Sequence, residues 1–238
     1  AIINLGLILL MIFPFVAAPS VAESSPLGGL ILFFAGMGIF FVGIGITARY
    51  ARDIANYQRP EFGALPRYFL ETWRFSLPAG LLAALALVLV FVAFPVYGSM
   101  GNFLGLLGFA LIFWFTIIAL LALHYFFPVH VQLGNGLRKS FSKSFLLLFD
   151  NSAFTIGLAL GSLAILGLSV FTAFLIPGIG GLILWHQVGL KLRLYKYDYL
   201  EENPQASKKS IPWQALLMDE RDRVGKRTFK GMIFPWKE

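Results

Sequence analysis

The residues best placed to do chemistry are two histidines and a glutamine set in long apolar runs: His124, His186 and Gln187. An ionisable side chain inside a membrane is a functional candidate, for proton or solute handling, because placing it there is costly. Neutral imidazole and carboxamide are cheaper, and each can instead hydrogen-bond a neighbouring helix. Both readings stay open. The rest of the inventory is thin. The 238 residues contain no Cys, which removes disulfides, thiol nucleophiles and thiolate metal sites. A metal centre on two histidines would lack carboxylate support within the apolar runs. The chain has no phosphate-binding glycine loop, no paired-carboxylate hydrolase site and no Ser–His–Asp set within one folded domain. The expectation is a protein that is not an enzyme and needs no cofactor.

The elements that would position these side chains are membrane helices. Only 13% of the residues are charged and 58% are hydrophobic, against about 25% charged in a soluble domain. The stretch from Asn151 to Leu190 holds no Asp, Glu, Lys or Arg. A bilayer core takes about 20 apolar residues per helix, so this run suffices for two, with the reversal at Pro177–Gly181. The chain ahead of it repeats that plan. The expected fold is all-α and polytopic, with six transmembrane helices at about 1–21, 27–48, 75–94, 103–128, 151–176 and 178–195. A cytoplasmic tail covers 201–238. Val16-Ala17-Ala18 and Val21-Ala22-Glu23 look like signal-peptidase sites, but no basic region precedes the first run, so a retained helix is expected.

Two basic segments separate the spans. Arg49–Arg74 mixes five Arg with Tyr68, Phe69 and Trp73, and Pro66 suits the first turn of a short interfacial helix. In the second, Leu137, Phe141, Phe145 and Leu148 form one helical stripe, with Arg138, Lys139 and Lys143 on other faces. Both segments are expected to bind anionic headgroups. The two segments also give the chain a weak internal repeat. Of 19 Lys and Arg, five follow span two, three follow span four and eleven follow span six. The turns after spans one, three and five carry only Glu23. Basic loops mark the cytoplasmic side, so both termini are expected inside, with Glu23, Tyr97 and Gly180 outside.

Gly43, Gly45, Gly157, Gly161 and Gly167 read as helix-packing positions, and Gly157 with Gly161 has small-xxx-small spacing. In the tail, Ser210 is expected to cap a helix over Ile211–Val224. Trp213, Leu216, Leu217, Met232, Phe234 and Trp236 are candidate anchors on a partner subunit or a second copy. The alternative is a tail folded back on the chain's own basic loops. No folded basic domain suggests nucleic-acid binding.

The order of parts resembles the YesL-like family of small bacterial membrane proteins over roughly Asn4 to Glu201. The resemblance is carried by a short first hairpin, "FGALPRYFLETW", then "PVHVQLGNGLRKSFSKSFLLLFDN" before a Gly- and Leu-rich hairpin. It implies the bacterial cytoplasmic (inner) membrane, no assigned catalytic activity, and an accessory role beside carbohydrate ABC-transporter components. The expected function is therefore a non-catalytic membrane subunit that binds a larger complex. The runner-up is a small-solute or lipid-handling transporter acting alone, and an intramembrane enzyme comes third. No Asp, Glu, Lys or Arg lies within the spans short of Lys191 and Arg193 at the inner end of the sixth, which argues against an ion-driven carrier.

Overall fold

Lipid offers the backbone no hydrogen-bond partners, so apolar runs of this length fold as helices. In the computed structural model, which describes residues 1–207 and 210–224, all regular structure is helical. Five helical segments among the described residues are long and apolar enough to cross a membrane: Ile2–Ser24, Pro26–Ala55, Phe62–Ser99, Phe103–Leu133 and Ser152–Phe171.

The first is a rod of α1 (Ile2–Ile12), one π-helical turn (Phe13–Ala17) and α2 (Ala18–Ser24). The widened turn contains Pro14, whose missing N–H disrupts regular α-helix. Ser25 is extended, and its Oγ accepts from Gly28 N–H at 3.2 Å to start α3 (Pro26–Ala55). The rod packs antiparallel along α3 through three glycines spaced seven apart. Ala22 lies at Gly29, Pro14 at Gly36, and Leu7 with Leu10 at Gly43. Such spacing repeats on one helix face and lets backbones approach closely. Another face of α3 meets α4 (Leu65–Ser99), with Leu77 at Gly38 and Ser76 at Gly45.

The expected short interfacial helix and third span are one 35-residue helix. Phe75, Ser76, Ala79 and Gly80 are buried across the expected break, and this packing carries the helix through Pro78. It also runs through Pro95, so the expected turn at 95–102 shrinks to Met100–Asn102. Asn102 Oδ1 then accepts from Gly105 N–H at 2.8 Å and caps α5 (Phe103–Leu133). α5 continues past Pro128 and ends at Gly134, which takes the left-handed conformation of a helix C-terminus.

α6 (Leu137–Asp150) is a separate helix, as expected, but its buried seam is Ser140, Ser144 and Leu148. Phe141 is 53% exposed. Small serines form the seam because they bond locally, Ser144 Oγ to the Ser140 carbonyl at 2.7 Å and Ser140 Oγ to the Asn135 carbonyl at 3.2 Å.

The last apolar hairpin pairs α7 (Ser152–Phe171) with α8 (Gly178–Glu202). Its reversal is Thr172–Pro177, ahead of the expected Pro177–Gly181; Gly180 and Gly181 already belong to α8. The hairpin crosses the basic ends of three helices in turn. Tyr125 of α5 bonds Thr155, Gln187 bonds the Ala48 carbonyl of α3, and Asn4 of α1 bonds Leu175, Pro177 and Gly180. Gly180 therefore sits beside Asn4 and Thr47, not level with Glu23 and Tyr97. The charge count alone could not see this, because the reversal carries no charge to place it.

The chain divides into two compact units, Ala1–Leu190 and Lys191–Glu238, where the sequence suggested a boundary at 200. In the second unit, Lys191 Nζ pairs with Glu220 at 2.8 Å and Tyr195 Oη bonds the same carboxylate. These contacts take the last turns of α8 into that unit. Its other helices are α9 (Trp213–Leu216) and α10 (Met218–Val224). The single helix expected from Ile211 is shortened and split, and Pro212, not Ser210, precedes its first turn.

Candidate functional site

The polar side chains of the first unit gather where the α7–α8 hairpin crosses the basic ends of α3 and α5. His124 and His186, 62 positions apart in sequence, are brought together, with ring centroids 4.6 Å apart. His124 Nδ1 donates to the Leu120 and Leu121 carbonyls at 2.9 and 3.1 Å, which commits that nitrogen to its own helix. His186 Nε2 lies 2.9 Å from Ser162 Oγ, whose proton goes to the Leu158 carbonyl. Next to them, Tyr125 donates to Thr155 Oγ1 at 2.8 Å.

Gln187 is fully buried and stands in a chain of amides. Asn56 donates to Gln132 Oε1 at 3.4 Å, Gln132 to Gln187 Oε1 at 3.3 Å, and Gln187 to the Ala48 carbonyl at 3.3 Å. This chain ties α3, α5 and α8 over about two turns of α3, from Asn56 to Ala48. His124 and His186 thus meet each other beside Ser162, while Gln187 stands in a separate set with Gln132 and Asn56. The arrangement can hold three helices together or line a narrow polar path. Among the described residues no group of three or more His, Asp or Glu could hold a metal ion.

Toward the headgroups lies an ionic cluster whose sequence reads only as basic surface. Arg49 pairs with Asp53 one turn away and with Glu71 across the α3–α4 contact at 2.8 Å. Tyr68, 1% exposed, donates to Asp53 at 2.7 Å. Arg67 reaches Glu71 at 3.6 Å. The Arg49–Asp53 and Arg67–Glu71 spacings, both i,i+4, were a legible signal. His130 stacks on Phe75 with centroids 3.6 Å apart and donates to the Asn135 carbonyl at 2.7 Å. Ser76 Oγ is buried without a partner against Gly45, and Arg52 Nε and Asn135 Nδ2 are also unpartnered.

Both basic segments expected to meet lipid carry exposed cations without an ion pair among the described residues, Arg59 and Arg74 in the first. Arg49 and Arg67 of the first are held by carboxylates. Arg138, Lys139 and Lys143 of α6 are exposed and make no ion pair among the described residues.

The packing glycines separate as well. A Cβ on Gly161 would lie 2.5 Å from the Trp185 ring, whereas one on Gly157 would meet nothing within 4 Å. Gly157 is not in a close helix contact, and neither is Gly167. Of the tail anchors, Trp213, Leu216 and Leu217 are half-buried, and the Arg193 guanidinium lies 5.2 Å from the Trp213 ring centroid. Met232, Phe234 and Trp236 lie outside the described residues.

No family model matches the chain, and no curated protein or solved structure matches it either.

Proposed function

We propose that the chain is a non-catalytic, multi-pass subunit of a bacterial inner membrane that binds a larger membrane complex. One observation carries this reading: the bare flanks of α4 and α5. No residue from Leu85 to Ser99 or from Leu106 to Leu121 is buried. The hairpin presents Phe91, Phe103, Phe113, Trp114 and Phe115, each at least 43% exposed. Lipid is as apolar as these side chains, so partner helices would bind there by packing and not by the hydrophobic effect. The resemblance of its order of parts to YesL-like proteins would point to a partner among carbohydrate ABC-transporter components. The tail after Pro204 would add contacts on the cytoplasmic side, where every Lys and Arg is placed by the positive-inside rule. Anionic headgroups would be held by the exposed cations of both segments, Arg59 and Arg74 in the first and Arg138, Lys139 and Lys143 in α6.

The test is photo-crosslinking from Trp114 in native membranes, with mass spectrometry of the adducts. The reading expects a protein adduct that also co-purifies with the intact chain. Adducts to lipid alone, with no co-purifying chain, would refute it. Deleting residues 211–238 then shows whether the tail contributes to the same association.

A second reading, a solitary small-solute transporter, is favoured by the polar side chains His124, His186, Gln132 and Gln187, of which Gln187 is fully buried and the others half-buried. Solute uptake by proteoliposomes holding only this chain, lost on Gln187→Leu, would select it over the first.

A further inference from the structure

We infer that the α7–α8 hairpin is re-entrant: it enters from the basic side, its reversal ends among lipid acyl chains of that leaflet, and it never reaches the charge-free face. This rests on the chain being a membrane protein but not on the accessory role.

Depth is the first observation. The N-terminal rod and α3 run antiparallel, with contacts at Ala22–Gly29, Pro14–Gly36 and Leu7–Gly43, so Asn4 lies level with Thr47. Asn4 Nδ2 donates to the Leu175 and Pro177 carbonyls at 2.8 and 2.6 Å, and its Oδ1 accepts from Gly180 N–H at 2.7 Å. Thr47 is eight residues from the basic end of α3 and 21 from Pro26. At 1.5 Å per residue these are about 12 Å and about 31 Å. The reversal is thus far from the level of Ser25.

Self-sufficiency is the second. The N–H groups of Thr172, Ala173, Phe174 and Leu175 all bond carbonyls within the hairpin. Ile176 N–H reaches Thr172 Oγ1 at 3.2 Å and Gly178 N–H reaches Ser169 Oγ at 2.9 Å. A reversal in water needs no such closure, whereas one in hydrocarbon does. Ala173 and Phe174 both adopt left-handed backbone, a conformation kept only where the surroundings over-determine it. Gly178, also left-handed, has Asn4 packed 2.4 Å from where a Cβ would stand, so no other residue fits there.

Surface chemistry is the third. The side chains that face outward at the tip are Val170, Phe171, Thr172, Ala173, Leu175 and Ile176, with Phe171 88% exposed. All but Thr172 are apolar, and the Thr172 hydroxyl donates to carbonyls within the hairpin, Ser169 and Ile176, which suits acyl chains. All Lys and Arg remain on one side in this topology, as in the six-span one, so the charge pattern cannot separate the two.

The chain has no Cys, so single cysteines decide the matter in the full-length protein. Phe171→Cys and Ile176→Cys replace exposed side chains, and Val170→Cys serves if either fails to express. An impermeant maleimide is added to intact spheroplasts, with Ser99→Cys as the outward control and Ser142→Cys as the inward one. The inference expects Ser99→Cys to label and the tip cysteines to label at least tenfold more slowly. A nitroxide at either tip position should collide with oxygen and be shielded from a water-soluble nickel chelate. Labelling of a tip cysteine from outside as fast as Ser99→Cys would overturn the inference, as would a nitroxide relaxed by nickel in preference to oxygen.

Discussion

Two hairpins, α4–α5 and α7–α8, each join apolar helices through a short reversal free of Asp, Glu, Lys and Arg. They do different things with it. Met100–Asn102 needs one side-chain cap, from Asn102, and leaves long bare flanks on both helices. Thr172–Pro177 is closed by its own hydroxyls and by a residue about 170 positions away, Asn4. The first reversal can stand in water. The second has every visible donor satisfied within protein, as hydrocarbon demands. The difference teaches that depth in a membrane is set by where a reversal's polar groups find partners, not by how apolar its flanking helices are.

That comparison is breakable by substitution. The largest effect is expected at Asn4. Asn4→Leu leaves the Leu175 carbonyl and the Gly180 N–H of the hairpin unpartnered, each at about 1–3 kcal/mol, while the Pro177 carbonyl keeps Gly181 N–H. Thermal unfolding in detergent should show a greater loss for Asn4→Leu than for any substitution below; a melting temperature within error of the parent would show that the clamp is dispensable. Gly161→Leu comes next. It drives a side chain into the Trp185 ring, and overpacking of this kind costs about 1–3 kcal/mol. Asn102→Ala removes only a helix cap at the other hairpin, at roughly 1 kcal/mol. If Asn102→Ala destabilises more than Asn4→Leu, the ranking of the two reversals is inverted. Gly157→Ala should be the mildest. Nothing crowds that position, so the change should stabilise by about 0.5–1 kcal/mol through helix propensity alone, and a measured loss would reveal a contact there.

Much of this architecture could be read from the residues, and the parts that could not have identifiable causes. Uncharged runs located the helices, and basic loops located one end of the bundle. The breaks near Ser25 and Asn102 were legible as interruptions of apolar runs, while the capping by those two side chains emerged only in the structure. The continuity of α4 through Pro78 and Pro95 was hidden, since proline normally ends a helix; at Pro78 burial of Phe75, Ser76 and Ala79 overrides it, and at Pro95 no packing accounts for it. The seam of α6 was misjudged because a phenylalanine stripe outweighs two serines in any hydrophobic pattern, yet Ser140 and Ser144 are the residues that pack. The site was half visible. His124, His186 and Gln187 were found as polar residues in apolar runs, and Asn4 carried the same signal in the first run without being singled out. Asp53 and Tyr68 were obscured by the arginines around them, although Arg49–Asp53 has the spacing of a helical ion pair.

The claim that the last hairpin stops on the basic side can be measured as one distance. Spin labels at Ser25→Cys and Ile176→Cys, in the full-length chain in a lipid bilayer, report it by double electron–electron resonance. Since Thr47 stands 21 residues along α3 from Pro26, the expected separation is about 30 Å or more. A distribution centred below about 20 Å would place the reversal at the same face as Ser25 and contradict the account.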